Sequence, residues 1–259
     1  EYGRYSMALS NKNLSPKDRL VLALDVDSIE EVERLVTLLK DYVGFFKVGP
    51  QLFTSCAYDA IDTIKRLGGE VYFDGKFHDI PNTVAKASSN LVKRGVSFFN
   101  AHLAGGSKML TSMVKVARET AKRYEKPMPT ILGVTLLSSF GQRTLTEELN
   151  VKMNIDEYVA HLTYLAKESK IDGVIASASE AKRIRQEFDD EFIILCPAIR
   201  PTWSVVNDQI RVVTPADAIR AGVDFMVVGR PITSADDPVV AANMILEEID
   251  AAMKSLTNV

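Results

Sequence analysis

Carboxylate and ammonium side chains alternate within one short stretch of the chain, Asp-Gly-Lys-Phe-His-Asp at positions 74–79. Asp74 and Lys76 follow an apolar run and are two residues apart, so on a β-strand both would face the same side. Asp79 comes three residues later, beyond the expected end of the strand, where its side chain can point elsewhere, for example toward a neighbouring subunit. Opposite charges placed this closely are typical of a site for electrostatic or acid–base chemistry.

Lys47 extends this charged set, because it lies at the end of the preceding apolar run and would adjoin the Asp74 strand in a barrel. Charged residues directly after apolar strands are costly to bury unless they are paired. The array Lys47, Asp74, Lys76 and Asp79 is therefore a candidate catalytic set. Taken alone, the pattern also fits a buried salt-bridge network that only closes the mouth of the barrel.

A second group of residues is suited to binding phosphate. Gly229 and Arg230 follow the last apolar strand, where a glycine lets backbone N–H groups approach an anion and an arginine supplies a fixed cationic fork. Arg200 and Gln209 follow the preceding strand and can join the same end of the site. A capped turn with a surface arginine is the structural alternative for this pattern.

The elements that must position these residues alternate along the chain. Apolar runs at 20–24, 45–48, 71–74, 97–101, 130–136, 173–176, 192–195 and 225–228 are predicted strands. Predicted helices cover 29–39, 56–67, 84–93, 109–124, 155–168, 178–188, 216–221 and 239–253, and a long loop covers 138–153. Eight such units predict a single-domain α/β fold, a closed (β/α)8 TIM barrel over 20–259, in which chemistry sits at the carboxyl ends of the strands. Residues 1–19 form an N-terminal extension, and 1–6, which precede Met7, are expected to be a remnant of cloning.

Composition narrows the class of protein. The net charge is -3, charged residues make up 25%, and no long basic run suggests nucleic-acid binding. No apolar run approaches the roughly 18 residues that span a bilayer, and no signal-peptide core is present. Cys56 and Cys196 lack metal-ligand spacing, which predicts two buried thiols in a reducing compartment. The expected location is the cytoplasm.

The segment 74–83, Asp-Gly-Lys-Phe-His-Asp-Ile-Pro-Asn-Thr, closely resembles the Asp-x-Lys-x-x-Asp-Ile-Pro-x-Thr signature of the orotidine 5′-monophosphate decarboxylases. The likeness extends from about residue 20 to residue 247, and its blocks keep the family's order and spacing. One departure is Gly75, where many members carry a larger residue, and strand alternation directs this position away from the catalytic side. The other blocks are Leu22-Ala23-Leu24-Asp25, Phe46-Lys47-Val48-Gly49, Asn100-Ala101-His102, Thr135-Leu136-Leu137-Ser138-Ser139, Ile199-Arg200-Pro201 and Val228-Gly229-Arg230-Pro231.

The resemblance implies loss of CO2 from C6 of orotidine 5′-monophosphate, giving UMP, with no cofactor and no metal. The carbanion left at C6 is poorly delocalised, so a fixed cation beside it would both stabilise it and supply a proton. The family assigns that role to the lysine that matches Lys76. Asp74 would lie near the substrate carboxylate, a closeness often described as ground-state destabilisation.

The resemblance also assigns the substrate-binding residues. Lys47 and Asp25 would hold the ribose hydroxyls, and Ser138 would read the pyrimidine. Asp79 and Thr83 would cross to the other active site of a homodimer, and the adjoining Ile80 would be a substrate-binding residue. The 5′-phosphate would be bound by Arg230, Gln209 and the Gly229 backbone, with Arg200 at the same substrate end. The loop after Arg200, residues 203–208, is a candidate lid.

Two other hypotheses about the function remain open. A Mg²⁺-dependent decarboxylase or aldolase acting on a sugar phosphate shares the Asp-x-Lys-x-x-Asp strand, but it carries an acidic metal ligand where this chain has Lys47, a cation that would repel Mg²⁺. A non-catalytic nucleotide-binding barrel would be expected to have a damaged charged array.

The three histidines are interpreted as residues without a catalytic role. His102 is expected to face inward with a hydrogen bond, His78 to be structural and His161 to be solvated.

Overall fold

Eight parallel strands pair in chain order, and the last closes onto the first to complete a barrel. The computed structural model describes residues 14–188, 191–204 and 213–257. The predicted single-domain (β/α)8 barrel is confirmed. Its strands are β1 Leu20–Ala23, β2 Phe45–Val48, β3 Val71–Phe77, β4 Phe98–His102, β5 Thr130–Val134, β6 Gly173–Ile175, β7 Ile193–Cys196 and β8 Phe225–Val228.

Helices follow the strands and cover the outside of the barrel, each with an apolar face turned inward. In the helix Ile29–Leu39, for example, Val32, Leu35, Val36 and Leu39 are all buried. The helices are α1 Pro16–Arg19, α2 Ile29–Leu39, α3 Pro50–Arg66, α4 Pro81–Lys93, α5 Gly106–Arg123, α6 Ile155–Glu168, α7 Ala178–Glu187, α8 Pro215–Arg220, α9 Arg230–Thr233 and α10 Pro238–Thr257. No helix in the described ranges is both long and apolar enough to cross a membrane.

Aromatic side chains fill the amino-terminal half of the barrel interior. Phe98 lies edge-on to Phe45 and Phe225, with ring centroids 4.6 and 5.1 Å apart. These residues open β4, β2 and β8, so the residues two positions later along each strand also face the interior, one layer higher. On β2 that residue is Lys47, and on β4 it is Asn100. The aromatic layer thus forms an apolar floor below the polar carboxyl ends.

Several predicted elements differ from the observed ones. Helix α3 begins at Pro50 rather than at residue 56, because Ala57 adopts φ 49° and interrupts the helical periodicity on which the prediction depended. Strand β3 runs on to Phe77, three residues past the predicted end, and β5 stops at Val134. The predicted loop 138–153 contains one wide helical turn, Thr144–Glu148. The helices α1 and α9 were not predicted, because each is too short to show a periodic pattern.

Candidate active site

A cleft of about 280 Å³ opens at the carboxyl ends of the strands. One wall carries the charged residues of β2 and β3 together with Asp25, which follows β1. The opposite wall is formed by the segments after β7 and β8. The predicted site residues that line the cleft are Asp25, Lys47, Asp74, Arg200, Gly229 and Arg230. Six residues singled out from the sequence, on five different strand ends, are therefore brought to one place.

The carboxylates and ammonium groups form a continuous chain across one wall. Lys47 Nζ lies 3.3 Å from Asp25 Oδ1 and 3.6 Å from Asp74 Oδ2. Lys76 Nζ lies 2.7 Å from Asp74 Oδ1. The side chains of Lys47 and Asp74 are each 11% exposed, whereas that of Lys76 is 31% exposed. Buried charges require partners, and this alternation supplies them while it leaves the Lys76 ammonium accessible to a ligand.

Strand β3 is irregular where it carries this chain. Phe73 pairs with Phe99 of β4, but Phe77 pairs with Ala101, so four steps along β3 match two along β4. Within this bulge Lys76 has φ 46°, a left-handed conformation that is uncommon for residues other than glycine. The predicted proximity of Asp74 and Lys76 is confirmed by their distance. The regular alternation assumed for these residues is wrong, because the bulge interrupts it.

Two residues of this site, Tyr72 and Asn100, were not anticipated as functional. The Asn100 side chain accepts a hydrogen bond from the Lys76 backbone N–H and donates to Asp74 Oδ1, both at 2.7 Å. The Tyr72 hydroxyl donates to the same carboxylate oxygen at 3.3 Å. Burial and the Asp74 charge raise the pKa of Tyr72 well above its ordinary value, which keeps the phenol protonated. An inward-facing amide within an apolar strand was the available signal for Asn100.

Asp79, Ile80 and Thr83 lie outside the cleft of their own chain. All three are exposed, and the apolar side chain of Ile80 is 66% exposed. The Asp79 carboxylate accepts a hydrogen bond from the Ile80 backbone N–H at 2.6 Å, immediately before α4 begins at Pro81. These residues form an outward-facing strip beside the mouth of the barrel.

The opposite wall of the cleft carries cationic groups. Arg230 is exposed and opens α9, whose N-cap is Gly229, and Arg200 is half-buried. Both line the cleft, and neither guanidinium forms an ion pair within the part of the chain that the structure describes. Gln209 and the lid candidate from 205 onward lie outside the described residues. Ser138 is exposed, in the segment after β5, and does not line the cleft.

The histidines occupy peripheral positions. His102 is half-buried at the end of β4, and its ring centroid lies 5.5 Å from that of the exposed His78. Burial lowers the pKa of His102, and the neighbouring His78 and Lys76 lower it further. The hydrogen bond expected for His102 stays a prediction, since neither of its ring nitrogens is bonded to a described residue. His161 is exposed, as predicted.

Thiol and metal chemistry find little support in the described ranges. Both cysteines are free, and Cys196 is buried, which raises its pKa to about 12. Cys56 is only half-buried, so the prediction of two buried thiols is wrong for this residue: it lies in the first turns of α3, near the surface. No group of three or more His, Cys, Asp or Glu side chains in residues 14–188, 191–204 and 213–257 is arranged to hold a metal ion.

Known proteins resemble this chain over most of its length. Residues 18–245 match the model of the orotidine 5′-phosphate decarboxylase / HUMPS family. Proteins named orotidine 5′-phosphate decarboxylase are 44% identical in Moorella thermoacetica, over 90% of this chain and 93% of that one, and 45% identical in Syntrophotalea carbinolica, over 92% and 97%. The crystal structure of an orotidine 5′-phosphate decarboxylase from Lactobacillus acidophilus superimposes with a TM-score of 0.77 at 34% identity, covering 89% of this chain and 98% of that one.

Proposed function

We propose that this chain, which belongs to the orotidine 5′-phosphate decarboxylase / HUMPS family and is a carboxy-lyase, converts orotidine 5′-monophosphate to UMP. Lys76 would be the cation beside the reacting carbon. This reaction belongs to pyrimidine biosynthesis. The observation that carries the proposal is the chain of contacts from Asp25 through Lys47 and Asp74 to Lys76 on one wall of the cleft. The arginines on the facing wall supply a site for the phosphate.

The role of Lys76 follows from the chemistry of C6. When the bond between C6 and the carboxylate breaks, CO2 leaves and its bonding electron pair stays on C6. The Lys76 ammonium, which is accessible at one end of the charged chain, stabilises that pair electrostatically. An N–H bond of Lys76 then breaks as the C6–H bond forms, and the neutral amine regains its proton from solvent. No cofactor takes part in this sequence.

Asp74 has a different role, because it is buried and anionic. Its carboxylate would lie near the substrate carboxylate, and their repulsion is relieved as CO2 departs. The same group holds Lys76 through Oδ1 and Lys47 through Oδ2. Lys47 and Asp25 would bind the ribose hydroxyls, since both line the cleft beside Asp74.

Remote binding energy would come from the facing wall. Arg230, the Gly229 backbone and Gln209 would hold the 5′-phosphate, with Arg200 beside them. Binding energy at this end can be used to stabilise the transition state if it fixes the pyrimidine against Lys76. Ser138 lies outside the cleft, so it can contact the pyrimidine only if the segment after β5 approaches the bound substrate.

The active form would be a homodimer with shared sites. Asp79, Ile80 and Thr83 are exposed in a single chain, and they would complete the partner's cleft. A second carboxylate beside the Lys76 of the partner would extend the alternation of charge. The exposed apolar side chain of Ile80 gains burial in such an interface.

A Mg²⁺-dependent reaction on a sugar phosphate is disfavoured by Lys47. Its ammonium lies between Asp25 and Asp74, where it occupies the carboxylate oxygens that a metal ion would need. The two readings also differ in their sensitivity to a chelator.

The test is to mix the protein with orotidine 5′-monophosphate and EDTA and to follow the loss of ultraviolet absorbance. We expect full turnover in EDTA. Absence of turnover at high enzyme concentration would overturn the proposal. Turnover that EDTA abolishes and Mg²⁺ restores would favour the metal-dependent class instead. Arg230→Ala should raise KM far more than it lowers kcat at saturation, while the surface variant Arg143→Ala, a matched control, should do neither.

A further inference from the structure

Asn100 makes three hydrogen bonds from a fully buried position inside the barrel. Its exposed fraction is 0%, and it lies in the middle of β4. Oδ1 accepts from the Lys76 backbone N–H at 2.7 Å. Nδ2 donates to Asp74 Oδ1 at 2.7 Å and to the Tyr72 hydroxyl oxygen at 2.6 Å. One carboxamide therefore joins the backbone of one charged residue to the side chain of another.

The chemistry of the partners allows one orientation of this amide. The Lys76 N–H can only donate, and an ionised carboxylate such as Asp74 can only accept. A side chain at position 100 must therefore present an acceptor and a donor at the same time, which a primary carboxamide does. Leucine has a similar size but neither group, and aspartate would place a second carboxylate against Asp74.

The bond to Lys76 replaces a strand contact that the bulge removes. Regular pairing between β3 and β4 is lost between Phe73 and Phe77, and Lys76 adopts φ 46° within that gap. A left-handed conformation at a residue other than glycine is strained and persists only where its surroundings hold it. The Asn100 carbonyl oxygen is the group that receives the Lys76 N–H at this point.

The bond to Asp74 fixes the direction of the carboxylate. Oδ1 accepts from Asn100, from Tyr72 and from Lys76 Nζ, which leaves Oδ2 facing Lys47 at 3.6 Å. Two of the three donors to Oδ1 are buried neutral groups, so they keep the carboxylate in place when the Lys76 ammonium turns toward a substrate.

We propose that Asn100 is a positioning residue for the reaction, which sets the Lys76 backbone and the Asp74 carboxylate in the geometry that catalysis needs. Its effect on turnover rests on the function proposed above, whereas its effect on the Lys76 backbone does not. Asn100 contacts no reacting atom in this arrangement and acts through Lys76 and through Asp74, which it reaches both directly and by way of the Tyr72 hydroxyl.

The first test is Asn100→Leu, measured through kcat, KM and the Kd of UMP. We expect kcat to fall about 100-fold or more, because misplacing a reacting group by an ångström costs that much. The Kd of UMP should stay within about threefold, since the groups that bind phosphate and ribose are untouched. Thr163→Val, which removes a fully buried hydroxyl from α6, is the matched control and should lower stability while kcat is unchanged. A folded Asn100→Leu protein with kcat within about threefold of the parent overturns the proposal.

The second test is Asn100→Asp, which retains the shape and changes the pH profile. When protonated, the carboxyl group introduced by this substitution can donate to Asp74 as the amide does, whereas the ionised form repels Asp74. The kcat of the variant relative to the parent should therefore rise as pH falls from about 8 to about 5. A ratio that is constant over this range counts against the proposal. This variant carries the test should Asn100→Leu fail to fold.

The third test does not depend on turnover. Hydrogen exchange at the Lys76 backbone amide, followed by NMR, should be slow in the parent and much faster in Asn100→Leu, while the amide of Ile131 on β5 exchanges equally in both. Equal protection of Lys76 in both proteins overturns the positioning role. If the parent fails to decarboxylate orotidine 5′-monophosphate but Lys76 loses its protection in the variant, the proposed reaction fails and the positioning of Lys76 by Asn100 stands.

Discussion

The Lys76 ammonium and the Asp74 carboxylate lie 2.7 Å apart across a bulge in β3, at the point where that strand stops pairing regularly with β4. Lys76 has a left-handed backbone conformation at this point, and its ammonium contacts Asp74 Oδ1. Bulges of this kind are frequent beside active sites because they re-aim a side chain. The catalytic candidate is thus positioned by irregular structure that is held from the neighbouring strand.

Replacing Lys76 by alanine should abolish decarboxylation and leave the fold intact. The side chain is partly exposed, so few packing contacts are lost, whereas the cation at that end of the chain of charges disappears. We expect kcat to fall about 1000-fold or more. Lys115→Ala, on an exposed helix surface, is the control and should be fully active. Circular dichroism tests whether the fold is intact, and turnover assays measure kcat. Near-normal rates for Lys76→Ala would refute the role of Lys76.

Mixing two inactive variants should restore activity if the sites are shared. In a hybrid dimer of Asp74→Ala and Asp79→Ala chains, one site has both defects and the other has neither. Random mixing makes half of the dimers hybrids, so about 25% of the parental activity should return. Native mass spectrometry measures the hybrid fraction. Proven hybrids without recovered activity would remove the cross-subunit role of Asp79.

Gly75→Ala should destabilise the protein through Phe73. An added Cβ would clash with Phe73 Cε1, and that buried ring is packed against Phe53 and Phe77. We expect a loss of about 1–3 kcal/mol in the free energy of unfolding, with kcat little changed because the Cβ points away from the charged wall.

A smaller residue at position 73 should relieve that clash. In a double-mutant cycle, Gly75→Ala should lower the free energy of unfolding less in a Phe73→Leu background than in the parent. Denaturant unfolding measures this free energy for the parent, both single variants and the double variant. Strict additivity would show that the ring does not limit the size of residue 75. The matched control is Gly141→Ala, where nothing lies near the added Cβ.

The stability of the barrel should carry an unusual pH dependence from Asp224, which precedes β8. Burial raises the pKa of Asp224 to about 6 from its ordinary value of 3.8, although Arg185 lies 2.6 Å away and lowers it. A carboxyl with a raised folded pKa stabilises the fold below the unfolded pKa, and this contribution is lost as pH rises through the folded value. The shift corresponds to about 3 kcal/mol between about pH 4 and pH 7.

Asp224→Asn tests this directly, because asparagine does not titrate. The free energy of unfolding of the parent minus that of the variant should be largest near pH 4 and should fall by about 3 kcal/mol toward pH 7. Denaturant titrations across this range measure it. A difference that widens with pH would mean that the ion pair with Arg185 outweighs burial.

The sequence alone predicted the barrel and most of the cleft. Alternating apolar runs and helical periodicities are local signals, and parallel strands bring their carboxyl ends to one face whatever the details of packing. Asp25, Lys47, Asp74, Arg200 and Arg230 were therefore placed together correctly. Helix α3 was predicted too short because Ala57 breaks the period.

The tertiary structure decided how the charged residues are held. Asn100 is 24 residues from Lys76 in the chain, so their hydrogen bond depends on the register between β3 and β4, which no local pattern encodes. The bulge that contains Lys76 is likewise a property of two strands and of the space between them. Residue types and their spacing determined which groups meet at the cleft, whereas strand register and packing determined their orientation.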